Sequence, residues 1–317
     1  MEITTLIPAY KPKYINELIN SILTQSVLPC RVIFSDDSPN RVFKEYLNSE
    51  PVRSMISTLN VEVIDGPRLG GNANFCHVLK YFNKGTGLVH ILCDDDIVYP
   101  CFYERHLNAH NNGEFSTSIS RRWTSNESGH PSGHALPIPD IIKYHPNRNL
   151  SIDSKYVFET TIGSARNWLG EFSNAVYRSE FAEYIIAREI AGISYAGLED
   201  LGSFVQGSLS LPICFINEHL GFWRRSTEQF SSQQYGPALK LAFLAYISLS
   251  IAGRKLGQVS HLMSQKTISL VAANIAHHYG NEADMACFCG LMPGLINNSP
   301  GAEEAFLQCW KECKIFH

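Results

Sequence analysis

Leu88-Val89-His90-Ile91-Leu92-Cys93-Asp94-Asp95-Asp96 decides the fold: an apolar run of strand length stops at three consecutive carboxylates. Unbroken apolar runs of this kind mark strands covered on both faces, as in parallel sheets with helices on either side. The same grammar repeats upstream. Residues 2–9 (EITTLIPA) are rich in β-branched side chains and read as a strand that begins at once and stops at Pro8. Residues 14–27 carry Ile15, Leu18, Ile19, Ile22 and Leu23 on one helical face. A short strand at 31–35 runs into Asp36-Asp37-Ser38-Pro39, followed by a helix at 42–47 and a strand at 61–64. Gly66, Pro67, Gly70 and Gly71 break the chain before a helix at 74–82. Alternating strands and helices predict an α/β fold, a Rossmann-like, mostly parallel sheet with flanking helices. Ligands in such sheets bind outside the carboxyl ends of the strands, where both aspartate clusters stand.

Residues 110–150 are rich in Asn, Ser, Gly, His and Pro with little periodicity, and read as a binding loop or lid holding at most a strand at 116–119. A strand is expected at 170–178, a helix at 180–191 and a strand at 211–217. A helix opening at 197–204 has Glu199 and Asp200 in its first turn, where the helix dipole favours acids. From about 236 the pattern is all helical, at 239–256, 260–278, 282–291 and 303–313. The break near Ser231-Ser232-Gln233-Gln234-Tyr235-Gly236-Pro237 divides an α/β domain, 1–235, from a helical appendage, 236–317, expected to pack on it as a small bundle. Residues 239–252 (LKLAFLAYISLSIA) are almost wholly apolar yet too short to span a bilayer. They read as a helix buried within the bundle; the sharper alternative is a homodimer contact or a surface meeting a membrane-bound acceptor.

The chain has 317 residues, 44% hydrophobic and 18% charged, which excludes a disordered protein. Its 26 basic and 30 acidic residues give a net charge of −4, so nucleic acid is not an expected partner. Glu2 and the lack of a basic n-region argue against a secretory signal. The nine scattered cysteines fit reduced thiols better than a disulfide framework. A cytoplasmic enzyme, or one peripheral at the inner face of the membrane, is the expectation.

Three adjacent carboxylates repel one another, and a cation relieves that cost. Carboxylate oxygens suit Mg²⁺ or Mn²⁺ with a substrate diphosphate completing the shell. If the chain stays extended, Asp94 and Asp96 face one side together. A solvated acidic turn is the plainer alternative, but the end of a buried strand favours metal. Asp36-Asp37-Ser38-Pro39 taken alone is turn and cap chemistry; the functional alternative is acceptance from a uracil imide or a ribose hydroxyl. Glu199-Asp200 is equally an acidic helix start or a general base. His219 is a candidate metal ligand and Arg224-Arg225 a candidate phosphate fork, against a surface cation pair stacked on Phe222 and Trp223 and a structural histidine.

In order and spacing these pieces resemble the family 2 glycosyltransferases of GT-A fold. The resemblance rests on Leu6-Ile7-Pro8-Ala9-Tyr10, Ser21-Ile22-Leu23-Thr24-Gln25, Phe34-Ser35-Asp36-Asp37-Ser38 and the 68–74 stretch. It continues through Leu92-Cys93-Asp94-Asp95-Asp96 as a D-x-D motif, Glu199-Asp200 as an E-D motif, and Arg224-Arg225 with Gln229-Phe230-Ser231 as a closing basic segment. It implies that Pro8, Tyr10, Asp37 and Arg68 line the nucleotide pocket, with Asp95, Arg224 and Arg225 also on the donor. Asp94 then meets ribose or sugar and the metal site, Asp96 binds the metal with His219, and Asp200 is the base with Glu199 beside it. The triplet leaves two registers open, with Asp95 able to replace Asp96, and the glycine-rich stretch is only partly kept around 68–74.

The implied function is an inverting, Mn²⁺- or Mg²⁺-dependent transfer from a nucleoside-diphosphate sugar, UDP-linked, to a hydroxyl of a glycan or lipid-linked acceptor in surface polysaccharide synthesis. The rival is a non-catalytic nucleotide-sugar or glycan-binding module, which has no need of a base such as Asp200. A nucleotidyltransferase usually carries a glycine-rich basic loop after its first strand, and Pro8-Ala9-Tyr10-Lys11-Pro12 is not one.

Overall fold

The computed structural model describes residues 1–82, 87–132, 137–226 and 235–313. Gln229-Phe230-Ser231 and the break at 231–234 lie outside the described residues. The strands in chain order are β1 (Ile3–Ala9), β2 (Arg31–Asp36), β3 (Val61–Asp65), β4 (Leu88–Ile91), β5 (Ile97–Val98), β6 (Thr117–Ser125), β7 (Asn149–Ile152), β8 (Ala175–Arg178), β9 (Glu189–Ile190), β10 (Ile193–Ser194) and β11 (Ile213–Arg224). The chain divides into two compact units.

The first unit is residues 1–152, 169–186 and 210–225. Its sheet has the order β3-β2-β1-β4-β8-β6-β11-β5, with β7 also on β11. The β3-β2-β1-β4 half is parallel, as the apolar runs predict. In register, Ala9 lies opposite Asp36 and Asp36 opposite Asp65, so these carboxyl ends finish level. β8 enters antiparallel between β4 and β6. The helix Ile15–Leu23 buries Ile15, Leu18, Ile19 and Ile22 in a core shared with Ile3, Ile7, Val32, Phe34 and Leu92. Removing such side chains from water at ~25 cal/mol per Å² is what holds the layer on the sheet.

Two segments differ from the sequence expectation here. Residues 110–150 are not one loop: they hold the nine-residue strand β6, the helix Asp140–Lys143 and β7. The apolar period is missing from β6 because Ser118 and Ser120 are buried polar residues, whose hydroxyls donate to the carbonyls of Val176 and Asn174. The strand expected at 211–217 runs on to Arg224, so the basic-aromatic run at 222–224 belongs to β11. Register shifts near His219 and Phe222 let β11 bend, and its end pairs antiparallel with β5, just after the aspartates.

The second unit is not confined to 236–317; it also takes up 153–168 and 187–209. Its helices include Ser154–Thr161, Glu199–Ser208, Pro237–Lys255, His261–Tyr279, Ala286–Ile296 and Ala302–Glu312. The helix expected across 180–191 is short, Glu183–Ala187, and gives way to the β9–β10 hairpin, with Arg188, Ala191 and Gly192 at positive φ. Leu244, Ile247, Leu249 and Ile251 of Pro237–Lys255 are fully buried. Ser248 Oγ and Trp310 Nε1 both donate to the Ser194 carbonyl, at 2.7 and 3.0 Å. Cys287 and Cys309 are paired as a disulfide between the last two helices, an exception to the reduced-thiol expectation. Among the described residues no helix is long and apolar enough to cross a membrane.

Candidate active site

The carboxylates Asp94, Asp95 and Asp96 are all buried, although they follow β4 in a loop. The loop turns at once, so strand alternation does not apply, and Asp94 and Asp96 meet different strand ends. Asp94 Oδ2 accepts from the backbone N–H of Tyr10 and Lys11, at 2.5 and 2.6 Å, at the end of β1. Asp95 meets the Lys11 ammonium at 3.2 Å. Asp96 Oδ1 accepts from the Arg224 N–H at 2.9 Å, at the end of β11. Burial, and then the charge of Asp95, pushes Asp94 up to about 6 against the pull of the two N–H donors. The same two causes raise Asp96 well above the ordinary carboxylate range. The loop therefore concentrates negative charge that its own donors only partly offset.

Asp36 and Asp37, of which the resemblance implies Asp37 for the nucleotide pocket, divide the work. Asp36 is the turn and cap residue, accepting from Ser38 N at 3.0 Å and Lys44 N at 2.9 Å. Asp37 is buried at the end of β2 and accepts from the backbone N–H of Arg68. Arg68 sits at φ +58, and a Cβ on Gly66 would lie 2.7 Å from Asp37 Oδ1, so only glycine lets that turn approach. Pro8 is buried in β1 opposite Ser35, whereas Tyr10 and the Arg68 side chain are exposed. Asn74, quoted only as part of a stretch, is the residue sequence reasoning passed over. Its Nδ2 donates to Ser35 O at 3.0 Å and its Oδ1 accepts from Ser35 Oγ at 2.5 Å. Asn74→Ala strips a buried hub, and chemical denaturation should show a loss of about 1–3 kcal/mol. A loss under about 0.5 kcal/mol, the range of a surface change, contradicts that role.

Arg224, expected on donor phosphate, is instead wholly buried. Its Nε donates to Asp95 O at 2.8 Å, its Nη1 to Glu127 O, and its Nη2 to Glu17. The guanidinium lies 4.0 Å from the Tyr14 ring centroid, so it has no open face for phosphate on that side. Arg225 is exposed and holds Ser125 O through its backbone N–H at 2.9 Å. His219 stacks on Trp123, with ring centroids 3.9 Å apart and planes 9° apart. Burial, then the Arg121 charge, lowers the imidazole to about 4. Among the described residues no group of three or more His, Cys, Asp or Glu is gathered to hold a metal ion. His219 and the aspartates thus form no closed cage. A Mg²⁺ or Mn²⁺ site that borrows diphosphate oxygens needs only one or two carboxylates, and the hard oxygens of this buried loop fit that set.

Ser173 supports the loop from behind: its Oγ accepts from Cys93 N at 3.1 Å, and its carbonyl is 3.0 Å from His90 Nε2. No local signal in the sequence marks it, since the contact spans 80 residues. His90, His106 and His110 are all buried, and burial is the first cause lowering each, to about 4 for His90 and His110. Their folded values lie below the unfolded 6.5, so the unfolded chain binds more protons between the two. Their contribution is fully present above about pH 6.5 and is lost as pH falls toward 4. Asp94, raised to about 6, and Asp96, raised well above the ordinary range, work in the opposite sense. Melting temperatures should fall from pH 7 to pH 5, and His110→Asn should flatten the slope; an equal slope in the variant contradicts this account.

Within the second unit, Glu199 and Asp200 open the helix Glu199–Ser208. Asp200 Oδ1 accepts from Leu201 N at 2.6 Å, as a helix start predicts. Glu199 faces Arg188 at 3.7 Å. The Asp200 charge adds to the burial that raises the Tyr246 hydroxyl. Both acids are half-buried.

No curated protein matches the sequence. Among solved structures, S. aureus TarS 1–349 in complex with UDP-GlcNAc is similar at a TM-score of 0.55 and 12% identity, over 98% of this chain and 92% of that one. TarS 1–349 in complex with UDP gives a TM-score of 0.53 at 13% identity, over 99% and 88%. The longer TarS structure gives 0.54 at 14% identity, over 96% of this chain and 55% of that one. At these identities the likeness is one of fold. The family model of Glycosyl transferase family 2 matches residues 4–172, just over half of the chain. The aspartate loop at the end of β4 and Asp37 at the end of β2 both lie inside that match, and the chain belongs to glycosyl transferase family 2.

Proposed function

We propose that this glycosyltransferase is an inverting, divalent-metal-dependent enzyme that moves a sugar from a UDP-sugar to an acceptor hydroxyl. The observation that carries the reading is the buried Asp94–Asp96 loop, clasped by the β1 and β11 ends, with Asp37 buried at the end of β2. The bound UDP-GlcNAc and UDP of the TarS structures support the choice of nucleotide. Asp37, the exposed Tyr10 and the Arg68 turn take the nucleoside, and Arg225 offers a surface guanidinium for phosphate. Asp96, or Asp95 in the other register, is the carboxylate that would hold Mn²⁺ or Mg²⁺, which when bound would neutralise charge on the departing diphosphate. Asp200 removes the acceptor proton, and Glu199, tethered to Arg188, stands beside it. Attack from the face opposite the leaving group inverts the anomeric centre. The acceptor is a glycan or lipid-linked hydroxyl of surface polysaccharide synthesis, reached by a cytoplasmic or inner-face peripheral enzyme, with a homodimer contact in the helical part. Incubation with a panel of UDP-sugars and candidate acceptors, with product stereochemistry read by NMR, tests the reading; a retained anomeric configuration overturns the inverting mechanism.

A further inference from the structure

Arg224 is the largest fully buried side chain among the described residues, and it lies at the acid loop. Burying a guanidinium costs several kcal/mol unless its donors are met, so this placement needs a compensating network. The network reaches three separate segments. Nε and the backbone N–H hold Asp95 O and Asp96 Oδ1, Nη1 holds Glu127 O, and Nη2 pairs with Glu17 on the helix Ile15–Leu23. Tyr14 covers one face at 4.0 Å and Phe222 lies 5.2 Å away. A planar fork with fixed donor directions serves the Asp95, Glu127 and Glu17 oxygens at once, and a lysine does not. Glu17 is a carboxylate that the guanidinium itself pairs with, and its side chain is 54% exposed, so it can be changed without opening the core.

We infer that Arg224 is a positioning residue rather than a phosphate ligand: it fixes the Asp95–Asp96 backbone and aims the Asp96 carboxylate before the donor arrives. The two neighbouring arginines divide, Arg224 holding the loop from inside and Arg225 presenting its guanidinium at the surface. The consequence for metal binding rests on the reading of Asp96 given above; the consequence for loop order does not.

Hydrogen exchange of the ligand-free full chain tests the order directly. Glu17→Gln and Arg224→Lys should speed exchange of the peptide covering 93–98 by roughly 10-fold, the scale of one weakened charged hydrogen bond. Peptides from β2 and β3 should exchange at the wild-type rate, and Arg225→Ala should leave 93–98 unchanged. Should Arg224→Lys fail to fold, Glu17→Gln carries the test. Wild-type exchange at 93–98 in a folded Glu17→Gln or Arg224→Lys protein overturns the proposal, as does an equal effect from Arg225→Ala. Calorimetry with Mn²⁺ and UDP is the second readout, where Glu17→Gln should weaken Mn²⁺ by roughly 10-fold. A wild-type protein that binds no Mn²⁺ overturns the metal reading alone, and the exchange rates still decide the positioning role.

Discussion

Asp96→Ala abolishes divalent-dependent UDP binding in calorimetry with Mn²⁺, because it deletes a hard oxygen ligand from a loop of three adjacent carboxylates. Lys11 already sits on Asp95 at 3.2 Å, and two backbone donors already hold Asp94. Asp96 is raised well above its ordinary range by burial and by Asp95, and is the carboxylate with most to gain from a cation. The same reasoning fixes the sign of a control. A group raised in the folded state costs stability when charged, so Asp96→Asn should raise the melting temperature of the metal-free protein at neutral pH. Unchanged UDP affinity with Mn²⁺ in Asp96→Ala removes this residue from the site and moves the ligand to Asp95.

Asp200→Asn lowers turnover by roughly 10²-fold or more while donor affinity stays near wild type, as expected when a general base is lost and its shape kept. That factor corresponds to about 2.7 kcal/mol of transition-state stabilisation. Asp200 is assigned the proton because the family resemblance implies it, and Glu199 faces Arg188 at 3.7 Å. Steady-state kinetics of Asp200→Asn and Glu199→Gln decide between them. Turnover that survives in the first, or falls further in the second, reverses the assignment.

The parallel half of the sheet was legible because β1, β2 and β4 are apolar enough to show their burial, and because each ends in turn chemistry. β6 was not, since buried serines hidden by cross-strand hydrogen bonds look like loop residues in one dimension. The site divides in the same way. The carboxylates Asp37, Asp94, Asp95 and Asp96 stand out by type and by position after strands. Their supports do not: Ser173 reaches the loop, and Glu17 and Glu127 reach Arg224, across the fold, and nothing local distinguishes them from ordinary surface residues. Arg224 was visible as a cation but not as a buried one, because burial depends on how far β11 runs before it bends. The second unit shows the same limit, since 153–168 and 187–209 join the C-terminal helices through contacts that no linear boundary anticipates.

The central claim is that the aspartate loop makes this family 2 enzyme a metal-dependent UDP-sugar transferase. Release of UDP from a panel of UDP-sugars, measured with Mn²⁺ and again with EDTA, tests it most directly. The account predicts UDP release from at least one donor with Mn²⁺, none with EDTA, and none from Asp96→Ala. Full release in EDTA, or undiminished release from Asp96→Ala, would contradict it.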